Sequence, residues 1–133
     1  MQAKLIESSE IAPLVRHFVF EVPELEKFTF APGQFVSMNH MINGKKITRA
    51  YSVASAPSET NRFELCLNLV QEGLLSPLLF AMQPGETIEI RPPLGMFVLR
   101  NPPRETILIA TGTGIAPFRS ILNARVAMTE CPG

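Results

Sequence analysis

Residues 34–53 read QFVSMNHMINGKKITRAYSV, and this stretch decides the fold class. Asn43-Gly44 stands at its middle. Both residues tolerate positive φ, so the pair is a strong signal for a tight turn between antiparallel strands. Residues 34–38 read as the strand entering that turn and residues 46–53 as the strand leaving it. Ala31-Pro32-Gly33, just upstream, is another turn.

The same short-strand grammar extends to both sides. Residues 14–22 form a strand that ends at Pro23, with Phe18, Phe20 and Val22 on one face. Residues 3–8 alternate weakly and suit an edge strand. Residues 55–61 are a polar loop. Residues 62–70 are a strand with Phe63, Leu65, Leu67 and Leu69 on one side. Residues 74–82 fit a short helix with Ser76 as N-cap and Pro77 in the first helical position. Residues 87–91 and 96–99 read as two more strands. Twelve prolines cut the chain into short pieces, which favours strands over long helices.

After Asn101-Pro102-Pro103 the pattern changes. Residues 106–110 are a continuous apolar run, as buried parallel strands are. Thr111-Gly112-Thr113-Gly114 is a glycine-rich turn. Ile115, Phe118, Ile121, Leu122 and Val126 then recur at helical spacing. A lone strand–turn–helix unit cannot complete a parallel sheet, because the crossover needs a second strand. The expected organisation is a mainly β domain over residues 1–101, then the incomplete start of an α/β nucleotide-binding domain over residues 102–133.

Composition narrows the function classes. The hydrophobic share of 46% suits a packed core and excludes a disordered chain. Twelve basic and twelve acidic side chains cancel, leaving no electrostatic footprint for nucleic acid or an anionic membrane. No apolar run is long enough to cross a bilayer, and the first ten residues are no secretory signal, so a cytoplasmic setting is expected. Cys66 and Cys131 cannot hold a four-thiolate cluster. Cys66 reads as a packed thiol and Cys131 as an exposed one. His17 and His40 share no ligand-like spacing, and no metal site is expected.

Three short stretches could carry chemistry. Arg49-Ala50-Tyr51-Ser52 puts a guanidinium fork, suited to phosphate oxygens, on the same strand face as an aromatic ring. Gly73-Leu74-Leu75-Ser76 opens the short helix, where unpaired amides attract anions. Gly112-Thr113-Gly114 lies between an apolar strand and a helix, where α/β sheets bind nucleotides. Each alone has a plainer reading: an exposed Arg beside a half-buried Tyr, an ordinary cap, a simple turn.

Together and in order, the stretches are far more specific. Arg49-Ala50-Tyr51-Ser52-Val53-Ala54-Ser55, Gly73-Leu74-Leu75-Ser76, Pro93-Leu94-Gly95 and Thr111-Gly112-Thr113-Gly114-Ile115-Ala116-Pro117-Phe118 resemble the ferredoxin–NADP reductase superfamily, above all its bacterial ferredoxin/flavodoxin reductases and oxygenase-reductase flavin modules. The resemblance implies a six-stranded antiparallel Greek-key barrel that binds FAD, followed by an NAD(P)H domain. It implies that Arg49 grips the flavin phosphate, that Tyr51, with Ala50 beside it, packs on the flavin, and that Ser52 lies near N5, making Tyr51 and Ser52 the catalytic pair. Cys66, Leu67, Asn68 and Leu69 would contact the flavin through backbone, and Gly73, Leu74, Leu75 and Ser76 would cap the pyrophosphate. Thr113 would stand where flavin and nicotinamide meet, with Gly112 and Gly114 admitting NAD(P)H. The implied reaction moves electrons between NAD(P)H and ferredoxin, flavodoxin or an iron–sulfur subunit. Two alternatives remain open: a non-catalytic flavin module docked on another redox subunit, and a barrel with no cofactor.

Overall fold

A computed structural model describes residues 1–129. Six strands build one antiparallel sheet: β1 (Gln2–Ala12), β2 (Val15–Glu21), β3 (Phe35–Ile42), β4 (Lys45–Ser52), β5 (Arg62–Asn68) and β6 (Thr87–Ile90). Their order is β4-β3-β6-β1-β2-β5. The two end strands, β4 and β5, come together where the Ala54 amide donates to the Glu64 carbonyl at 2.8 Å, which closes the sheet toward a barrel. The mainly β, six-stranded architecture that the family resemblance implies is the one observed.

The β3–β4 hairpin forms at Asn43-Gly44, with φ of 51° and 78° and Ile42 paired to Lys45. Two successive positive φ values match the twist of the flanking strands. Alternation fills the interior. Phe18 and Phe20 from β2, Phe63, Leu65 and Leu67 from β5, Val36 and Met38 from β3, and Ile88 and Ile90 from β6 are all buried in one core. The Phe63 ring stacks on Phe20 and Phe28 with centroids 5.5 and 4.6 Å away. Helix α1 (Leu75–Ala81) adds Leu75 and Leu79 to that core.

Four expectations are corrected. Residues 3–8 are no edge strand, because β1 pairs with both β2 and β6. Its weak alternation comes from an outer face of Lys4 and polar neighbours, with Lys4 3.4 Å from Glu21. Residues 96–99 form no strand. Gly95 turns the chain at φ 122°, and among the described residues the ladder contact there is the bridge between Leu94 and Phe35. Leu69 does not continue the β5 face, since the strand ends at Asn68. Residues 106–110 form no strand either. Among the described residues no neighbour pairs with them, and Ile107 and Ile109 are 85% and 82% exposed.

The glycine-rich turn is a short 3-10 turn over Gly112–Ile115 and leads into helix α2 (Ala116–Thr129). The helix forms as expected and buries only part of the expected face, Ile121 fully and Phe118 in part. Ala116, Ser120 and Ile121 are buried, whereas Ile115, Leu122 and Val126 stay about half exposed. Periodicity identifies an apolar side; it does not say what that side faces. Cys131 lies outside the described residues.

Candidate functional site

Each end strand of the sheet has a neighbour on one side only, so its other edge offers unladdered backbone groups. Beyond the Ala54–Glu64 link, β4 and β5 line a cleft of about 470 Å³. Arg49, Ala50, Tyr51 and Ser52 form one wall and Cys66, Leu67 and Asn68 the other. Gly73, Leu74, Leu75 and Ser76 close one end, and Thr113 and Gly114 reach it from the turn before α2. Four stretches far apart in sequence thus meet around one space. A second cleft, of about 590 Å³ between residues 97–109 and α2, is lined mainly by apolar groups and touches none of these residues.

The walls have distinct chemistry. Arg49 and Tyr51 sit opposite Met38 and Val36 in the β3 register. The Arg49 guanidinium is exposed, donates to the Thr48 carbonyl at 2.9 Å, and forms no ion pair among the described residues. Tyr51 is half-buried against the core. That burial pushes its phenol up from the ordinary value, with Arg49 pulling the other way. The Leu67 side chain is in the core, so it offers the cleft mainly backbone. Burial pushes the Cys66 thiol up, and nearby Arg119 opposes the rise. The Asn68 side-chain oxygen accepts from the Thr113 hydroxyl at 3.1 Å, which ties the glycine turn to the wall of the cleft.

Ser76 differs from expectation. Helix α1 begins at Leu75, with Leu74 in the cap position and no side-chain cap. The buried Ser76 hydroxyl instead accepts from the Val70 amide at 2.9 Å and also contacts the Val70 carbonyl at 3.4 Å. A serine in the first turn serves the loop before it as readily as the helix. Pro77 is therefore the third helical residue.

Leu69 and Gly112 do not line the cleft. The Leu69 amide donates to the Leu14 carbonyl, and the chain swings so that Val70 faces the cleft instead. Gly112, at φ 55°, has nothing within 4 Å of where a Cβ would stand. Ala116 and Pro117 also line the space. Their place directly after the glycine turn was the signal for them; Val70 had none.

The family described as "Oxidoreductase FAD-binding domain" matches residues 2–99, which is the whole barrel and both walls of the cleft. The chain belongs to that family. As an oxidoreductase FAD-binding domain it is 38% identical over 125 residues to ferredoxin–NADP reductase B of Sorangium cellulosum, covering 92% of this chain and 51% of the relative. It is 40% identical over 96 residues to the flavodoxin/ferredoxin–NADP reductase of Escherichia coli, covering 70% of this chain and 38% of that one. A ferredoxin NADP+ reductase from Neisseria gonorrhoeae, solved with bound FAD and NADP, superposes with a TM-score of 0.76 at 28% identity, covering 97% of this chain and 52% of that one. This FAD-binding domain spans about half the length, or less, of these relatives.

Proposed function

We propose that the cleft between β4, β5 and α1 binds FAD, and that the domain passes electrons between NAD(P)H and a one-electron carrier as part of a reductase. The carrying observation is the convergence of Arg49, Tyr51, Cys66, Leu67, Asn68 and Leu74–Ser76 on one cleft of about 470 Å³, with the Arg49 guanidinium in no ion pair among the described residues. The volume is in the range of cofactor clefts. The donor set also suits the group: a planar cation for a phosphate, a half-buried ring for a flat heterocycle, and strand edges for a ring system bearing both donors and acceptors.

Bound FAD would accept an electron pair with a proton and release electrons one at a time. The chain's own residues bind and orient. Arg49 holds the phosphates by charge-assisted hydrogen bonds. Tyr51 offers its face, with Ala50 and Ser52 beside it on the same wall. Cys66, Leu67 and Asn68 supply backbone contacts along β5. Gly73, Leu74 and Leu75 shape the phosphate end; the Ser76 hydroxyl secures the loop there. Thr113 and Gly114, close to that wall through Asn68, border the side where a nicotinamide would approach. Residues 102–133 read as the beginning of the NAD(P)H domain. The partner class is ferredoxin, flavodoxin or an iron–sulfur subunit; the names of the relatives support the first two.

Purified protein tests the reading directly. A yellow protein with flavin absorption bands, whose heat-released cofactor has the mass of FAD, supports it. A colourless protein that leaves added FAD fluorescence unchanged overturns it. Rapid flavin bleaching on mixing with NADPH would further show that this chain alone suffices for the first electron step.

A further inference from the structure

Helix α2 buries Ala116 and Ile121, whereas its Leu122 and Val126, and Ile115 just before it, remain about half exposed. Apolar contact is non-directional and does not by itself choose a helix's rotation. Beside that packing, two adjacent polar residues on its first turns hold the barrel. The Ser120 hydroxyl, 0% exposed, donates to the Ser55 carbonyl at 2.6 Å. Arg119 Nη1 donates to the Ala54 carbonyl at 2.9 Å and lies 3.8 Å from the Glu64 carboxylate.

The acceptors are themselves fixed. The Ala54 amide donates to the Glu64 carbonyl at 2.8 Å, and the Glu64 amide donates to the Ser55 hydroxyl at 3.0 Å. The Glu64 carboxylate also pairs with His17 on β2. The acceptor pair stands at the closure of the barrel, two and three residues past Ser52 on the cleft wall.

We propose that Arg119 and Ser120 are positioning residues, which clamp the head of α2 to the Ala54 and Ser55 carbonyls and so hold Thr113 at the cleft. Thr113 and Arg119 are six residue steps apart along 3-10 turn and helix, a rigid span of about 10 Å. Setting the rotation of α2 therefore sets where the Thr113 hydroxyl points, and its bond to Asn68 is the far end of the same device. The functional meaning rests on the FAD reading above; the clamp itself does not.

Amide hydrogen exchange on the full chain, read by mass spectrometry with and without added FAD, tests it. Ser120→Ala and Arg119→Ala should each speed exchange about ten-fold across residues 112–124, the loss of roughly one hydrogen bond. Peptides from β1 and β2 should keep the parent rate. Arg119→Lys, which retains a donor for the Ala54 carbonyl, should recover most of the protection; Arg119→Met, which retains only the stem, should not. Unchanged exchange over residues 112–124 in both alanine variants overturns the clamp. So does equal rescue by Lys and Met, which would make Arg119 a packing residue. If the parent fails to bind FAD, the reading of the cleft falls while these rates still decide the clamp.

Discussion

Arg49→Ala separates a cofactor-gripping residue from an ordinary surface arginine. The side chain is exposed and, among the described residues, its one hydrogen bond goes to the neighbouring Thr48 carbonyl, a group that water can satisfy. Its removal should leave the barrel's stability within about 0.5 kcal/mol of the parent. A charge-assisted hydrogen bond to phosphate contributes roughly 1.5–3 kcal/mol where it is sheltered. The exposure of Arg49 lets solvent screen it, so about 1–2 kcal/mol is expected here, a weakening of about 5- to 30-fold in Kd for FAD. Fluorescence titration of FAD into cofactor-stripped protein measures this. Raising salt from about 50 to 500 mM should weaken the parent more than the variant, because screening acts on the charge that the variant lacks. Arg49→Lys should fall between the two, since an ammonium keeps charge and loses the fork. Parent-like affinity of Arg49→Ala at low salt, within two-fold, would refute the assignment.

Three further outcomes test the frame around the cleft. Ser76→Ala leaves the Val70 amide without its partner, so a loss of about 1–3 kcal/mol and a lower Tm are expected in thermal unfolding followed by circular dichroism. Gly33→Ala should destabilise by more than about 1 kcal/mol in urea titrations, because Gly33 sits at φ 105° and a Cβ there would lie 1.7 Å from the Phe97 carbonyl oxygen. The Cys66 and Tyr51 protons are both held more tightly in the fold than at their ordinary values of 9.0 and 10.0. Their contribution to stability is therefore complete below those values and is lost as pH rises through the higher folded-state ones. Tm should fall on the alkaline side, and Cys66→Ser with Tyr51→Phe should flatten that fall; an equally steep decline in the double variant would remove these groups as its cause.

Local pattern alone places β2 to β6 and most of what they bury. Phe18, Phe20, Phe63 and Leu65 alternate with polar neighbours, and a period of two leaves one face to bury. Asn43-Gly44 specified its hairpin because backbone conformation at a two-residue turn is a local property. Arg49, Tyr51, Ser76 and Thr113 could be singled out by motif, without any distance between them. Which strands adjoin follows from long-range contacts. The tertiary structure put β1 in the middle of the sheet and left β4 and β5 at its two ends, so that their edges could form a cleft. It gave the Ser76 hydroxyl to Val70 instead of to its own helix, a choice between two nearby amides that spacing cannot make. It left residues 106–110 without a ladder, because strand character depends on a partner as much as on composition. And it joined α2 to the barrel by two polar contacts, Arg119 to Ala54 and Ser120 to Ser55, which span 65 residues of chain and leave no trace in a helical period.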